Sequence, residues 1–261
     1  MKILLTADLH YDKRNKEGVS SFIKEINNTD ADVLILAGDI SSGTAYTVEC
    51  LKQFRDFTNG KYIVAGNHDL WVENGDSFEI YSSRFPKLAA MCEFHSLDEK
   101  PAIVENLGLV GTVGWYDFSL RNKKLKIPMK LYKGKSLPGI ATWNDKYFIK
   151  WNYTDIEFVD FTLQKLKNDI EGIYTDVKNI ICVVHHLPFA GLLPEKKEEI
   201  FPFFYAYAGS KKFGKLLIQY NKIKYVFCGH THRYKKIKIG HLHAINIGCR
   251  RSQRRFSVLE L

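Results

Sequence analysis

Apolar and polar residues alternate in blocks along the first seventy positions. Residues 2–7, 32–37 and 61–65 are short runs rich in Ile, Leu and Val, each closed by polar residues or glycine. Runs of this length and composition predict strands buried on both faces. Between them, residues 19–28 and 45–59 place Phe22, Ile23 and Ile26, then Val48, Leu51, Phe54 and Phe57, at helical spacing. Strand–helix–strand alternation predicts parallel strands with crossover helices on the faces, an α/β fold. A second set follows, with strands expected over 107–113, 179–184 and 222–227 and helices over 155–172 and 210–220. Ser210 is the expected N-cap of the latter. The C-terminal end reads as hairpins, with strands at 234–239, 242–247 and 256–261 and a turn at Gly240-His241.

Residues 115–153 break the pattern. They are rich in Lys, Tyr, Trp, Pro and Gly and lack a period, yet Trp115, Trp143 and Trp151 need a surface to pack on. So long a stretch reads as a functional loop, a lid or cap insertion within a single domain spanning 1–261.

The candidate chemistry lies where the strands stop. Asp8 and His10, Asp39, Asn67 and His68, His185 and His186, and His230 and His232 each follow the last apolar residue of a predicted strand. Ligands of open α/β sheets bind beyond the carboxyl ends of the strands, so these residues are expected to converge. Alone, each has a bland explanation: a loop histidine at His10, a helix N-cap at Asp39, a turn at Gly66-Asn67-His68-Asp69. Together, imidazole, carboxylate and amide oxygen suit divalent ions such as Mn, Fe, Zn or Mg. Asp39 can bridge two such ions, which would clamp the oxygens of an in-line displacement. Of His185 and His186, strand alternation lets only one point inward. His95, His241 and His243 read as ordinary surface or strand histidines.

Composition narrows the setting. Of 261 residues, 45% are hydrophobic and 26% charged, which fits a globular chain, and no apolar run reaches the ~20 residues a membrane helix needs. The N-terminus has one lysine and a short apolar run, too short for a signal segment, so a cytoplasmic location is expected. Five scattered cysteines, without a CxxC pair, argue against a disulfide framework or a cysteine zinc site. The net charge of +9 suits an anionic substrate and keeps nucleic acid open as a partner.

In order, Asp8-Leu9-His10, Gly38-Asp39, Gly66-Asn67-His68-Asp69, His185 and Gly229-His230-Thr231-His232 resemble the five motifs of the calcineurin-like metallophosphoesterases. The resemblance implies a four-layer α/β/β/α sandwich with two mixed β-sheets and a dinuclear centre at the strand ends. It implies that Asp8, His10 and His232 hold one divalent ion (Mn, Fe, Zn or Ni). Asn67, His185 and His230 would hold the other, with Asp39 between; His185 rather than His186 is the member it selects. His68 would contact the substrate and protonate the leaving group, with Asp69 orienting it. Apart from the resemblance, Asn67 is expected to touch substrate as well, and an arginine, Arg250 or Arg233, to stabilise charge on the phosphoryl oxygens. The implied activity is hydrolysis of small phosphomonoesters or phosphodiesters, nucleotides included, by a metal-bridging hydroxide. A nuclease or nucleic-acid end-processing enzyme is the alternative, and a non-catalytic metal-stabilised interaction module another. Gly38-Asp39-Ile40-Ser41-Ser42-Gly43 lacks the arginine and second aspartate of the protein serine/threonine phosphatases, which argues against that branch.

Overall fold

A computed structural model describes residues 1–195, 201–250 and 252–261. Its first sheet contains β1 (Lys2–Thr6), β2 (Val33–Ala37), β3 (Gly60–Val64), β4 (His95–Ser96) and the C-terminal strand β13 (Ser257–Glu260). Its second contains β5 (Ala102–Val104), β6 (Leu107–Thr112), β9 (Asn179–Val184), β10 (Ile223–Cys228), β11 (Lys235–Ile239) and β12 (Leu242–Asn246). The strand orders are β13-β1-β2-β3-β4 and β11-β12-β10-β9-β6-β5. Interior neighbours are parallel, whereas β13, β5 and β11 close edges antiparallel. Both sheets are therefore mixed, as expected.

Alternation along the strands separates two cores. Ile3, Leu5, Val33, Ile35, Ile181 and Val183 belong to the layer between the sheets. Leu4, Leu34, Leu36, Ile180, Cys182 and Val184 belong to the outer layer, together with residues of the helices Lys16–Asn27 and Asp155–Ile173. Strands apolar on both faces are what such a four-layer stack demands. Thr154 and Glu157 close a capping box at the start of the second helix.

Two expectations need correction, and one element is additional. The last strand is not part of a hairpin: β11 and β12 pair, but β13 crosses to β1. The reason is that β12 already has β10 on its other edge. The helix expected over 45–59 is α-helical only over Thr44–Leu51 and tightens to a 3-10 turn over Lys52–Asp56. A helical stretch from Ser77 to Met91, with a π-helical segment at Ile80–Arg84, was not read from the sequence at all.

The segment 115–153 holds the short helices Met129–Lys133 and Asp145–Phe148 and a small ribbon, β7 (Ser136–Leu137) with β8 (Ala141–Thr142). Its tryptophans find their surfaces. Trp115 is buried against Tyr116 and Trp151, Trp151 packs on Phe158, and Trp143 stacks on Tyr207.

Candidate metal centre

The loops after β1, β2 and β3 come from one sheet, and those after β9 and β10 from the other. Main-chain hydrogen bonds continue past the strand ends: Asp8 N–H donates to the Gly38 carbonyl (3.0 Å) and His10 N–H to that of Asp39 (2.9 Å). Across the sandwich, His230 N–H donates to Asp8 Oδ1 (2.8 Å). Asp8, His10, Asp39, His230 and His232 all have left-handed φ, between 45° and 72°. Outside glycine that conformation costs about 1–3 kcal/mol, and five instances at one place mark a site whose surroundings enforce it. Gly66 is required by close approach, since a Cβ there would collide with the Asp39 carboxylate.

Two groups of donors result. Asp8, His10, Asp39 and His232 each bring a ligand atom within 4.8 Å of one another, as do Asp39, His185 and His230, and Asp39 is common to both. Asn67 joins the second group through Oδ1, 3.1 Å from His230 Nδ1.

Several atoms here have no satisfactory protein partner. Asp8 Oδ2 and His185 Nε2 are buried and make no hydrogen bond. His185 Nδ1–H donates to the Ala37 carbonyl (2.8 Å), which leaves Nε2 aimed at Asp39 Oδ2, 3.4 Å away, without a hydrogen bond. His230 Nε2–H donates to the Tyr207 carbonyl (3.1 Å), so its Nδ1 lone pair faces the Asn67 oxygen, an acceptor against an acceptor. Orphaned buried polar atoms cost about 1–3 kcal/mol each. Cations between these groups would satisfy all of them, and hydrogen bonds that fix the far ring nitrogen are what ligating histidines carry. The residues fit a dinuclear metal site.

The electrostatics agree. Burial, aided by neighbouring histidines, holds His10 and His230 well below the usual imidazole range, so both are neutral donors. Burial alone would raise Asp39, but His185, His68 and His10 keep it well below the carboxylate range. Burial would likewise lower His185, but Asp39 and Asp8 outweigh it and raise the imidazole to about 9.

A sequence model of the calcineurin-like phosphoesterases matches residues 1–234. The chain belongs to this family. A search of curated protein sequences finds no match. Among solved structures, a phosphopantetheinyl hydrolase from Mycobacterium tuberculosis superposes with a TM-score of 0.74 at 16% identity, covering 95% of this chain and 89% of that one. A dimetal phosphatase from Danio rerio gives 0.57 at 12% identity, covering 99% and 91%. At these identities the likeness concerns the fold.

The other residues singled out in this phosphoesterase chain take distinct places. His186 continues the outward alternation of β9, donates Nδ1–H to the Val113 carbonyl (2.9 Å) and packs against Trp115 and Tyr116. Burial, then His185, pushes it down to about 3. His68 donates its backbone N–H to Asp39 Oδ1 (2.9 Å) and stacks on Trp71 (3.7 Å). Its ring meets Ser42 Oγ (3.1 Å), not Asp69. Asp69 instead accepts from the backbone of Ile40, Ser41 and Gly66, bracing the loops beneath the centre. Burial, then Asp39, raises it to about 7. Arg233 donates to the His232 carbonyl (3.3 Å). Neither it nor Arg250 is among the described residues lining the cavity at the centre.

That cavity encloses about 260 Å³. Asp39, His68, His230 and His232 form its polar side, and Trp143, Pro194, Phe204, Tyr205 and Ala208 its apolar side. Sequence reasoning missed Ser42 and Asp145. Asp145 had one available signal: it is the only acid between Asp117 and Asp155, set among aromatic residues in a basic stretch.

Proposed function

We propose that the protein is a metal-dependent hydrolase of small phosphate esters whose esterified group carries an apolar or planar portion. The observation that carries the reading is the pair of donor groups sharing Asp39 at the floor of a cavity with an aromatic wall. Asp8, His10 and His232 would hold one ion, and Asn67, His185 and His230 the other. When bound, two divalent ions supply Lewis acidity, lowering the pKa of water and neutralising charge on phosphoryl oxygens.

The chain's own residues do the rest. Asp39 fixes the His68 backbone, and Ser42 engages His68 Nδ1, so Nε2 is the ring nitrogen left to donate to a substrate oxygen. Burial lowers the His68 imidazole, and near neutral pH the ring therefore acts as a neutral donor to the leaving oxygen. The apolar wall excludes water and seats the esterified group. Family membership and a cavity of this size favour small esters. Among the described lining residues there is no Lys or Arg, whereas a channel that tracks nucleic acid is lined with them.

The test is turnover of p-nitrophenyl phosphate, bis-p-nitrophenyl phosphate and single-stranded DNA with Mn, Fe, Zn, Ni and Mg in turn. Hydrolysis of a small ester that EDTA abolishes and one of these metals restores is the expected result. Cleavage of DNA alone, with a steep salt dependence, would select the nuclease. Metal binding without turnover of any substrate would reduce the protein to an interaction module.

A further inference from the structure

Asp145, inside the segment 115–153, has a carboxylate only 1% exposed. Four neutral donors meet it. Asn67 Nδ2–H (2.9 Å) and Trp71 Nε1–H (2.7 Å) reach Oδ1, while Tyr116 O–H (2.9 Å) and Trp143 Nε1–H (2.7 Å) reach Oδ2. A buried carboxylate is a poor choice for packing alone, because an apolar residue would fill the space without its desolvation cost.

What the carboxylate selects is an orientation. Asn67 is the one amide among the candidate ligands, and its two ends are nearly the same shape. Only the oxygen can ligate a metal; the NH2 group has no lone pair to offer. A carboxylate offers acceptors only, so Asp145 takes Nδ2 and turns Oδ1 toward His230 Nδ1. The same carboxylate holds two indoles. Trp71 carries His68 on its face (3.7 Å) and Phe148 stacked against it (4.7 Å), and Trp143 forms part of the cavity wall.

We infer that Asp145 is a positioning residue of the centre: it locks the Asn67 carboxamide oxygen-inward and ties the aromatic wall to that same anchor. The inference rests on the proposed dinuclear reading, with Asn67 as a ligand. Metal uptake and the shape of the substrate wall then share one fixed point, supplied by the segment 115–153 rather than by the strand-end loops.

The experiment is titration with Mn(II), read by calorimetry and by the exchange-coupled electron paramagnetic resonance signal of a manganese pair. The metal-free circular dichroism spectrum reports folding. Wild-type protein is expected to bind two ions, and fewer than two would overturn the dinuclear reading and this inference together. In Asp145→Asn combined with Tyr116→Phe, the NH2 at position 145 can find an acceptor only at Asn67, because both indoles only donate and the Tyr116 hydroxyl, which could have turned to accept, is gone. Asn67 then turns its oxygen away from the site, the second ion binds at least tenfold more weakly and the coupled signal is lost. A folded protein with both substitutions that binds two ions with wild-type affinity overturns the inference.

The exchange Asn67→Asp with Asp145→Asn distinguishes orientation from packing. The amide introduced at position 145 would donate to one oxygen of the carboxylate introduced at position 67 and leave the other oxygen facing the site, so the second ion is expected back. If Asp145→Asn with Tyr116→Phe fails to fold, the exchanged pair decides: two ions support the inference, and one ion, or failure to fold, overturns it. Trp143→Phe removes a donor from Oδ2 but leaves the Asn67 contact. It is expected to keep both ions and to raise KM more than it lowers kcat, and loss of an ion there would assign the effect to packing.

Discussion

His68 is held from two directions, by its backbone bond to Asp39 and by its ring between Ser42 and Trp71. If it donates to the leaving oxygen, its removal should matter in proportion to how badly that oxygen needs help. His68→Ala is expected to keep both ions and to lose about 10²- to 10³-fold in kcat on alkyl phosphates, with a smaller loss on p-nitrophenyl esters. Equal losses on both would remove the donor role. Asp39→Ala should do something different, lowering the metal stoichiometry measured by plasma emission, because it takes one donor from each group. At this scale the sequence was partly legible. The strand-end Asp, Asn and His residues stood out because their chemistry and position coincide. Ser42 and Asp145 did not, since each acts through a neighbour that is distant along the chain. Asp69 adjoins His68 in sequence but turns the other way, to three backbone amides.

At the level of elements, the two sheets meet the site through loops that must stay in register. Asp98, which nothing in the sequence marks, follows β4 and accepts from Ala65 N–H and Val113 N–H, both at 2.6 Å. These amides lie just beyond β3 in one sheet and β6 in the other, so one carboxylate clips the sandwich together beneath the centre. Asp98→Ala leaves two buried amides unpaired at about 1–3 kcal/mol each, and a loss of roughly 2–5 kcal/mol in urea unfolding is expected. A loss under about 1 kcal/mol would mean that the loops re-pair without it. The parallel strands were readable because burial on both faces writes uninterrupted apolar runs. The place of β13 was not, because a strand of four residues carries no record of which edge is open; β10 had already taken the edge of β12. The stretch from Ser77 to Met91 was missed for a related reason: it switches from α to π winding at Ile80–Arg84, which shifts the period that helical spacing relies on.

Over the whole molecule, the centre joins the two sheets, so ions that bind there should stabilise the fold as a unit. An ion at 100 times its dissociation constant adds about 2.7 kcal/mol if the unfolded chain does not bind it. For a chain of this size each kcal/mol corresponds to roughly 2–4 °C, so EDTA is expected to lower Tm by about 5–10 °C for each ion removed. His185 gives that difference a pH dependence. In the metal-free fold Asp39 and Asp8 raise its imidazole to about 9, against an unfolded value near 6.5. The folded state therefore binds the extra proton, and the stability it confers is complete below about pH 6.5 and lost as pH rises through 9. A cation at the same nitrogen displaces that proton, so metal affinity rises across the window in which the metal-free fold weakens. At fixed free Mn(II), the stability gap between loaded and EDTA-treated protein should widen from pH 6.5 to 9 by about 1.4 kcal/mol per pH unit at most, roughly 3–6 °C in Tm, then level off. Thermal melts at four pH values across that range measure it. A gap independent of pH would mean that His185 holds no proton for the metal to displace.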